Sequence, residues 1–208
     1  MKAIKLIILA LTFSVIACKS NRKAGVNSDS VETNDEESIR ISDSRFLIVP
    51  GRSVGEISLG DDMQVVGKLL GKPDAGDAAM GKAWGIWQEK DSAAGKGNEL
   101  AIYSAYRDTS MRVKEVKQIR ITNEQFKTQD GFSTGRTISD TKLLFPAMEQ
   151  IASYINAEKD TVLIYDAKQD GIGFEFLKRK GIALTVHPMN QPVNNTYLTL
   201  HPEWKLIQ

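Results

Sequence analysis

The chain has 208 residues, with 27 Lys and Arg against 26 Asp and Glu and a formal charge of +1 at pH 7. Because the charges balance and no basic stripe is present, a nucleic acid or another polyanion is not an expected partner. Cys18 is the single cysteine, which excludes an internal disulfide, so stability must come from a packed core.

The amino terminus has the pattern of a secretory signal peptide. Lys2 and Lys5 supply a basic start, and residues 6–17 form an almost unbroken apolar run. A membrane-spanning helix needs roughly 20 apolar residues, whereas the apolar part of a signal peptide needs only about 7 to 15. We therefore predict a signal peptide over residues 1–17.

The apolar run ends at residues 15–18, Val-Ile-Ala-Cys, which resemble the bacterial lipobox. That resemblance implies that Cys18 is diacylated before the signal peptide is cut on its amino side. The alternative is an ordinary secretory peptide with an incidental cysteine. A two-chain lipid anchor is effectively permanent, because each buried methylene contributes about 0.8 kcal/mol.

A flexible tether is predicted over residues 18–44, which are rich in Ser, Asn, Asp, Glu and Lys and show no apolar period. Residues 19–21, Lys-Ser-Asn, lack the acidic residues that direct some lipoproteins to the inner membrane or to the cell surface. The expected location is therefore the periplasmic face of the outer membrane. Residues 45–208 are long enough to form a single globular domain.

The globular part begins with an apolar run at 45–49 that is stopped by Pro50-Gly51, which predicts an edge strand. Residues 60–73 then predict a short helix. Asp62 stands at its N-cap, and Gly71 and Pro73 end it. Its apolar stripe consists of Met63, Val66, Leu69 and Leu70.

A related segment lies 75 residues further along, where residues 133–135 align with 58–60. Thr137 replaces Asp62 as the cap and forms a capping-box-like pair with Asp140. A further helix is predicted from Pro146, which suits a first helical turn. Its expected apolar face is formed by Met148, Ile151 and Ile155.

Each predicted helical segment is followed by strand-like runs, at 83–88, 99–107 and 114–122 in the first half and at 161–166, 172–177 and 182–187 in the second. We therefore predict an α+β fold made of two tandem repeats, about 45–125 and 126–208. Each repeat would pair a helical part with an antiparallel sheet, and the two would form one continuous sheet with the helices packed on one face.

Residues 60–73 resemble the helix-entry motif of the small outer-membrane lipoproteins that include BamE and SmpA: a Gly, a cap residue two positions later, and the ending Leu-Leu-Gly-x-Pro. The resemblance implies a helical pair packed on a three-stranded antiparallel sheet. A tandem of such units is similar to the architecture of the β-lactamase inhibitor protein, where two helix-sheet repeats form one long concave sheet.

Residues 131–135 match the G-x-S-x-G pattern of a nucleophile elbow, which makes Ser133 a candidate for a serine hydrolase. Such an elbow must directly follow a buried strand, but residues 124–130 are mostly polar. His187 and His201 are the only histidines, and neither has a neighbour at metal-ligand spacing. We therefore expect no metal, no cofactor and no catalytic residues.

An aromatic set remains as the candidate binding surface, because Trp and Tyr are enriched in binding hot spots as well as in cores. The leading hypothesis is a non-enzymatic, lipid-anchored envelope protein that binds another envelope protein. The alternatives are an inhibitor of an envelope or secreted enzyme, and a serine hydrolase that uses Ser133. The candidate partner-binding residues are Trp84, Trp87, Tyr103 and Tyr106.

Overall fold

A computed structural model describes residues 44–89 and 97–207. The predicted signal peptide, the lipidation site Cys18 and the tether up to residue 43 lie outside the described residues. No helix within the described ranges is long and apolar enough to cross a membrane.

The described residues form thirteen strands and two α-helices, preceded by a 3-10 turn at Ser44–Phe46. The helices are α1 (Met63–Leu70) and α2 (Ile138–Leu144). The strands are β1 (Leu47–Val49), β2 (Ser53–Val54), β3 (Ile57–Ser58), β4 (Ala75–Ala79), β5 (Lys82–Gln88), β6 (Glu99–Tyr106), β7 (Lys114–Ile121), β8 (Lys127–Thr128), β9 (Glu149–Ile155), β10 (Thr161–Ala167), β11 (Ile172–Leu177), β12 (Lys180–Val186) and β13 (Lys205–Leu206).

The strands make two sheets. The larger has nine strands in the order β13-β9-β10-β11-β12-β7-β6-β5-β4, and all its neighbouring strands are antiparallel. The smaller has the order β3-β2-β1-β8, with β1 parallel to β8. The expected edge strand at residues 45–49 is therefore an interior strand, because β2 and β8 pair with its two sides.

The two short helices begin where the sequence predicts. Asp62 caps α1 by accepting a hydrogen bond from the Gln64 N–H, and Thr137 and Asp140 form the capping box of α2. Each helix buries a single residue, Val66 in α1 and Thr141 in α2. The helices are thus well capped but contribute little to the core.

The helix predicted from Pro146 is wrong, because residues 149–155 form β9. Ala152 pairs with Ile164 and Gln150 with Tyr165, so Ile151 is the extra residue of a β-bulge. The bulge breaks the two-residue alternation of the strand. The resulting spacing of apolar residues imitates a helical period.

The predicted α+β fold of helix-plus-sheet repeats, with helices packed on one face of a sheet, is also wrong. The molecule is mostly β, with two helices among thirteen strands. Local periodicity overestimated the helix content because it cannot show a bulge or the long-range strand pairing. The six strand-like runs of the prediction are all present, as β5, β6, β7, β10, β11 and β12.

The large sheet is covered on both faces. Its core face packs against the small sheet through a cluster that includes Ile48, Ile102, Ile119, Phe174 and Phe176. The second face carries two smaller apolar clusters, one around Val162 and Ile164 and the other around Trp84, Ala101 and Tyr103. Residues 188–204, called here the C-terminal segment, contain no helix or strand and supply residues to both of these clusters.

Candidate functional site

A buried ion-pair network lies on the second face of the large sheet. Arg120 Nε and Nη2 donate to the two carboxylate oxygens of Glu175 at 2.6 and 2.8 Å. Arg120 Nη1 donates to Glu99 Oε1 at 2.7 Å. The bidentate geometry is the strongest arrangement of an arginine and a carboxylate, and it holds both planar groups in fixed orientations.

The sheet positions this network. Arg120 is on β7 and Glu175 is on β11, with β12 between them. Ala183 of β12 is paired with Glu175, and its small side chain leaves room for the two long side chains to meet above it. Glu99 reaches Arg120 from β6, on the other side of β7.

Arg120 and Glu175 stabilise each other's charged forms. Burial opposes ionisation of Glu175, but the charge and hydrogen bonds of Arg120 outweigh it and hold the pKa of Glu175 below its ordinary value. Burial also opposes the charge of Arg120, and the two carboxylates outweigh it and raise the pKa of Arg120. An uncompensated charge here would be costly, so each group depends on its partner.

The C-terminal segment crosses above the network and is hydrogen-bonded to the sheet. The Trp84 indole N–H donates to the Leu198 carbonyl at 2.9 Å, and the Tyr197 N–H donates to the Tyr103 hydroxyl at 2.9 Å. The Val193 N–H donates to Asp166 Oδ2 at 3.0 Å. The segment is therefore anchored at Val193 and again at residues 197–198.

Asp166 also binds His187, which is fully buried. His187 Nε2 lies 3.0 Å from Asp166 Oδ1, and Nδ1 lies 3.1 Å from the Pro188 carbonyl oxygen. Both ring nitrogens therefore lie within hydrogen-bond distance of an oxygen. The pair anchors the start of the C-terminal segment, which is a structural role.

A cavity of about 150 Å³ lies between the network and the C-terminal segment. Its floor includes Gln118, Arg120, Glu175 and Thr185, and its walls include the aromatic side chains of Trp84, Tyr154 and Trp204. The C-terminal segment supplies the roof through Thr196, Thr199, Leu200 and His201. A concave space with a few convergent polar groups is the usual form of a small-ligand site.

His201 is the unusual residue of the roof. Its ring stacks on Trp204 with centroids 4.0 Å apart, and its Nε2 is buried and accepts or donates no hydrogen bond within the described part of the chain. Burial, the larger cause, and the positive charge of Arg120 lower the pKa of His201 below its ordinary value. The imidazole is therefore neutral at neutral pH.

The predicted partner-binding residues are divided between different environments. Trp84 and Tyr103 are buried under the C-terminal segment of the same chain. Trp87 is partly buried against the core, and its indole N–H donates to the Gly71 carbonyl at the end of α1 at 3.3 Å. Tyr106 is only half-buried. The four residues do not form one exposed surface.

Ser133 is buried, and its hydroxyl donates to the Thr134 carbonyl oxygen at 3.1 Å. Neither His187 nor His201 hydrogen-bonds to it within the described ranges. In residues 44–89 and 97–207, no group of three His, Cys, Asp or Glu side chains could hold a metal ion.

One edge of the large sheet is exposed. Strand β4 has the sequence Ala-Gly-Asp-Ala-Ala, and no strand among the described residues pairs with its outer side. Its first four residues are exposed. Natural edge strands are commonly protected by Lys, Pro, bulges or very short length, but β4 has five residues and Asp77 as its single charge.

Exposed apolar residues adjoin this edge. Met80, at the turn that follows β4, is 78% exposed, and Met111 and Tyr197 are 57% and 54% exposed. The Tyr197 hydroxyl contacts the Met80 sulfur, and the Tyr106 ring lies against Gly81. We call this group the Met/Tyr corner, formed by Met80, Tyr106, Met111 and Tyr197.

The ion-pair network was not found by sequence reasoning, although a signal exists. Arg120 stands between Ile119 and Ile121, and Glu175 stands between Phe174 and Phe176. A charge enclosed by large apolar residues in a strand points to the opposite face from them. The sequence pattern does not show that this opposite face is covered, or that the two charged side chains are in contact.

No family model, curated protein or solved structure matches the chain.

Proposed function

We propose that the protein is a non-enzymatic, lipid-anchored envelope protein that binds an extended segment of another envelope protein along β4. The observation that carries this proposal is the exposed β4 edge with the Met/Tyr corner at its end. The envelope location rests on the lipobox-like sequence before Cys18. The resemblance to small outer-membrane lipoproteins over residues 60–73 supports the same location.

An edge strand is suited to this role because the main-chain N–H and C=O groups on its free side can pair with an added strand. The side chains of β4 are small, so an incoming strand can approach closely. Its four exposed residues leave about one strand's length of main chain open to a partner.

The Met/Tyr corner would provide side-chain contacts for the same segment. Met80 and Met111 adopt positive φ angles of 50° and 54°, a conformation that costs a residue other than glycine about 1–2 kcal/mol. Strain of this kind is concentrated at functional positions. Flexible methionine side chains also adapt well to a partner surface.

Positive charge lies beside the Met/Tyr corner, and this favours a partner segment with acidic residues. Lys82 Nζ lies 4.7 Å from the centre of the Tyr197 ring, and Lys114 Nζ lies 5.2 Å from that of Tyr106. Two ammonium groups beside exposed apolar side chains suit a segment that carries both apolar and acidic residues. That is the partner chemistry we expect.

The proposal is tested by photo-crosslinking in cells, with a benzophenone amino acid at position 78. We expect a discrete adduct with one envelope protein, and we expect the double variant Met80→Asn/Met111→Asn to reduce its yield severalfold. Asn accepts positive φ more readily than Met, so the variant should keep the fold while it removes the apolar contacts.

Leu143 is the matched control, because it is an exposed apolar residue on α2, away from β4 in the chain. A crosslinker at position 143 should give no such adduct, and Leu143→Gln should leave the adduct at position 78 unchanged. If position 78 gives no adduct, or if the double variant leaves the adduct yield intact, binding along β4 is disproved.

A further inference from the structure

We infer that the cavity under the C-terminal segment is a binding site for a small, neutral, hydroxyl-bearing molecule. The inference does not depend on partner binding along β4. It rests on the charge balance of the cavity, on the buried polar side chains of Gln118 and Thr185 in its floor, and on the mixed lining of aromatic and hydroxyl or amide side chains.

The charges in the lining favour a neutral ligand over an ionic one. Arg120 and Glu175 are the charged groups that line the cavity, and they neutralise each other through two hydrogen bonds. Arg120 Nη1 donates to Glu99, which is not part of the cavity lining. An anion would therefore have to displace a carboxylate from Arg120, and a cation would lie beside the guanidinium.

Gln118 and Thr185 provide the hydrogen-bonding groups of the cavity floor. Both residues are buried, at 5% and 6% exposed, and neither side chain hydrogen-bonds to another described residue. A ligand hydroxyl can donate to and accept from both side chains.

The rest of the lining suits an alcohol or a small sugar. Gln118, Thr185 and Thr199 offer both donors and acceptors, which match the dual character of a hydroxyl group. Trp84 and Tyr154 offer apolar ring surface for the C–H groups of the same molecule. The volume of about 150 Å³ limits the ligand to roughly the size of benzene, a polyol or a small monosaccharide.

The test measures binding of glycerol, D-ribose and D-glucose to the full chain by ligand-observed saturation-transfer NMR. Ethanolamine and lactate serve as charged probes of similar size. We expect saturable binding of at least one neutral probe, with weaker or no binding of the charged probes. Perturbation of Trp84 or Trp204 fluorescence would locate the bound probe.

The variant Thr185→Val keeps the shape of a lining side chain but removes its hydroxyl, and we expect it to weaken binding of the neutral probe about tenfold. Thr161→Val is the matched control, because it removes an exposed hydroxyl of β10 that does not line the cavity and should not change binding. Circular dichroism and thermal melting of both variants confirm that they fold.

Three results would overturn the inference. The first is no saturable binding of any neutral probe at millimolar concentration, which would indicate that the cavity holds only water. The second is tighter binding of a charged probe. The third is equal binding by a folded Thr185→Val variant.

Discussion

At the scale of single residues, the molecule depends most on the charges that it buries. Arg120 and Glu175 side chains are 6% and 11% exposed, so neither charge is hydrated in the absence of the other. The Arg107 and Glu115 pair makes a short contact of 2.6 Å as well, but the Arg107 side chain is 53% exposed. The shortest contacts are equally long, but the Arg120 pair is buried and bidentate, whereas the Arg107 pair has one hydrogen bond and an exposed arginine.

We predict that Arg120→Leu lowers the free energy of unfolding by about 3–5 kcal/mol, because it leaves the Glu175 carboxylate buried without a counterion. Denaturant titration monitored by circular dichroism measures the loss. Arg107→Leu is the control, and its loss should be much smaller because water replaces the lost partner. Equal losses in the two variants would refute the assigned role of burial.

At the scale of elements, the C-terminal segment is the least regular part of the described chain, and side chains of the sheet hold it. The indole N–H of Trp84 binds this segment, whereas that of Trp87 binds the last turn of α1 through Gly71. The two tryptophans lie on the same strand, β5, but serve different elements. This contrast allows a matched pair of substitutions.

We predict that Trp84→Phe destabilises the protein by about 1 kcal/mol and speeds amide hydrogen exchange mainly at residues 196–201. Trp87→Phe should instead speed exchange near residues 67–71, because its lost contact is at the end of α1. Hydrogen exchange followed by mass spectrometry distinguishes the two patterns. A uniform increase across the sheet in the Trp84 variant would show that the C-terminal segment is not an independent unit.

At the scale of the whole molecule, the described domain and the proposed membrane anchor lie in different parts of the chain. The anchor is predicted from residues 15–18, and the described residues begin at Ser44. A lipid on Cys18 would keep the domain at a membrane surface without a spanning helix. Its effective concentration near other envelope proteins would then be high, even for a weak β4 contact.

We predict that Cys18→Ser moves the protein from the membrane fraction to the soluble fraction of the envelope and abolishes incorporation of labelled palmitate. The expected cause is the loss of the thiol that carries the acyl chains. Cell fractionation and mass spectrometry of the mature amino terminus make the measurement. An unacylated Cys18 in the unaltered protein would contradict the anchoring proposal.

The sequence by itself determined the features that depend on neighbouring residues. Asp62 and Thr137 mark the starts of the two helices, because capping needs only a side chain and an N–H two or three positions away. Alternation over residues 172–177 identifies β11 for the same local reason. The lipobox-like end of the signal peptide is also a local pattern.

Only the tertiary structure decided which distant residues meet. Residues 149–155 form β9 and not the predicted helix, because they pair with β10. The bulge at Ile151 explains why the spacing of apolar residues in this strand resembles that of a helix. Trp84 and Tyr103, predicted as candidates for a partner, are covered by residues that come 114 and 94 positions later in the chain. Arg120 and Glu175 meet across β12, and the cavity above them exists because the C-terminal segment folds back over that face. These contacts depend on strand order and chain path, which no short stretch of sequence specifies.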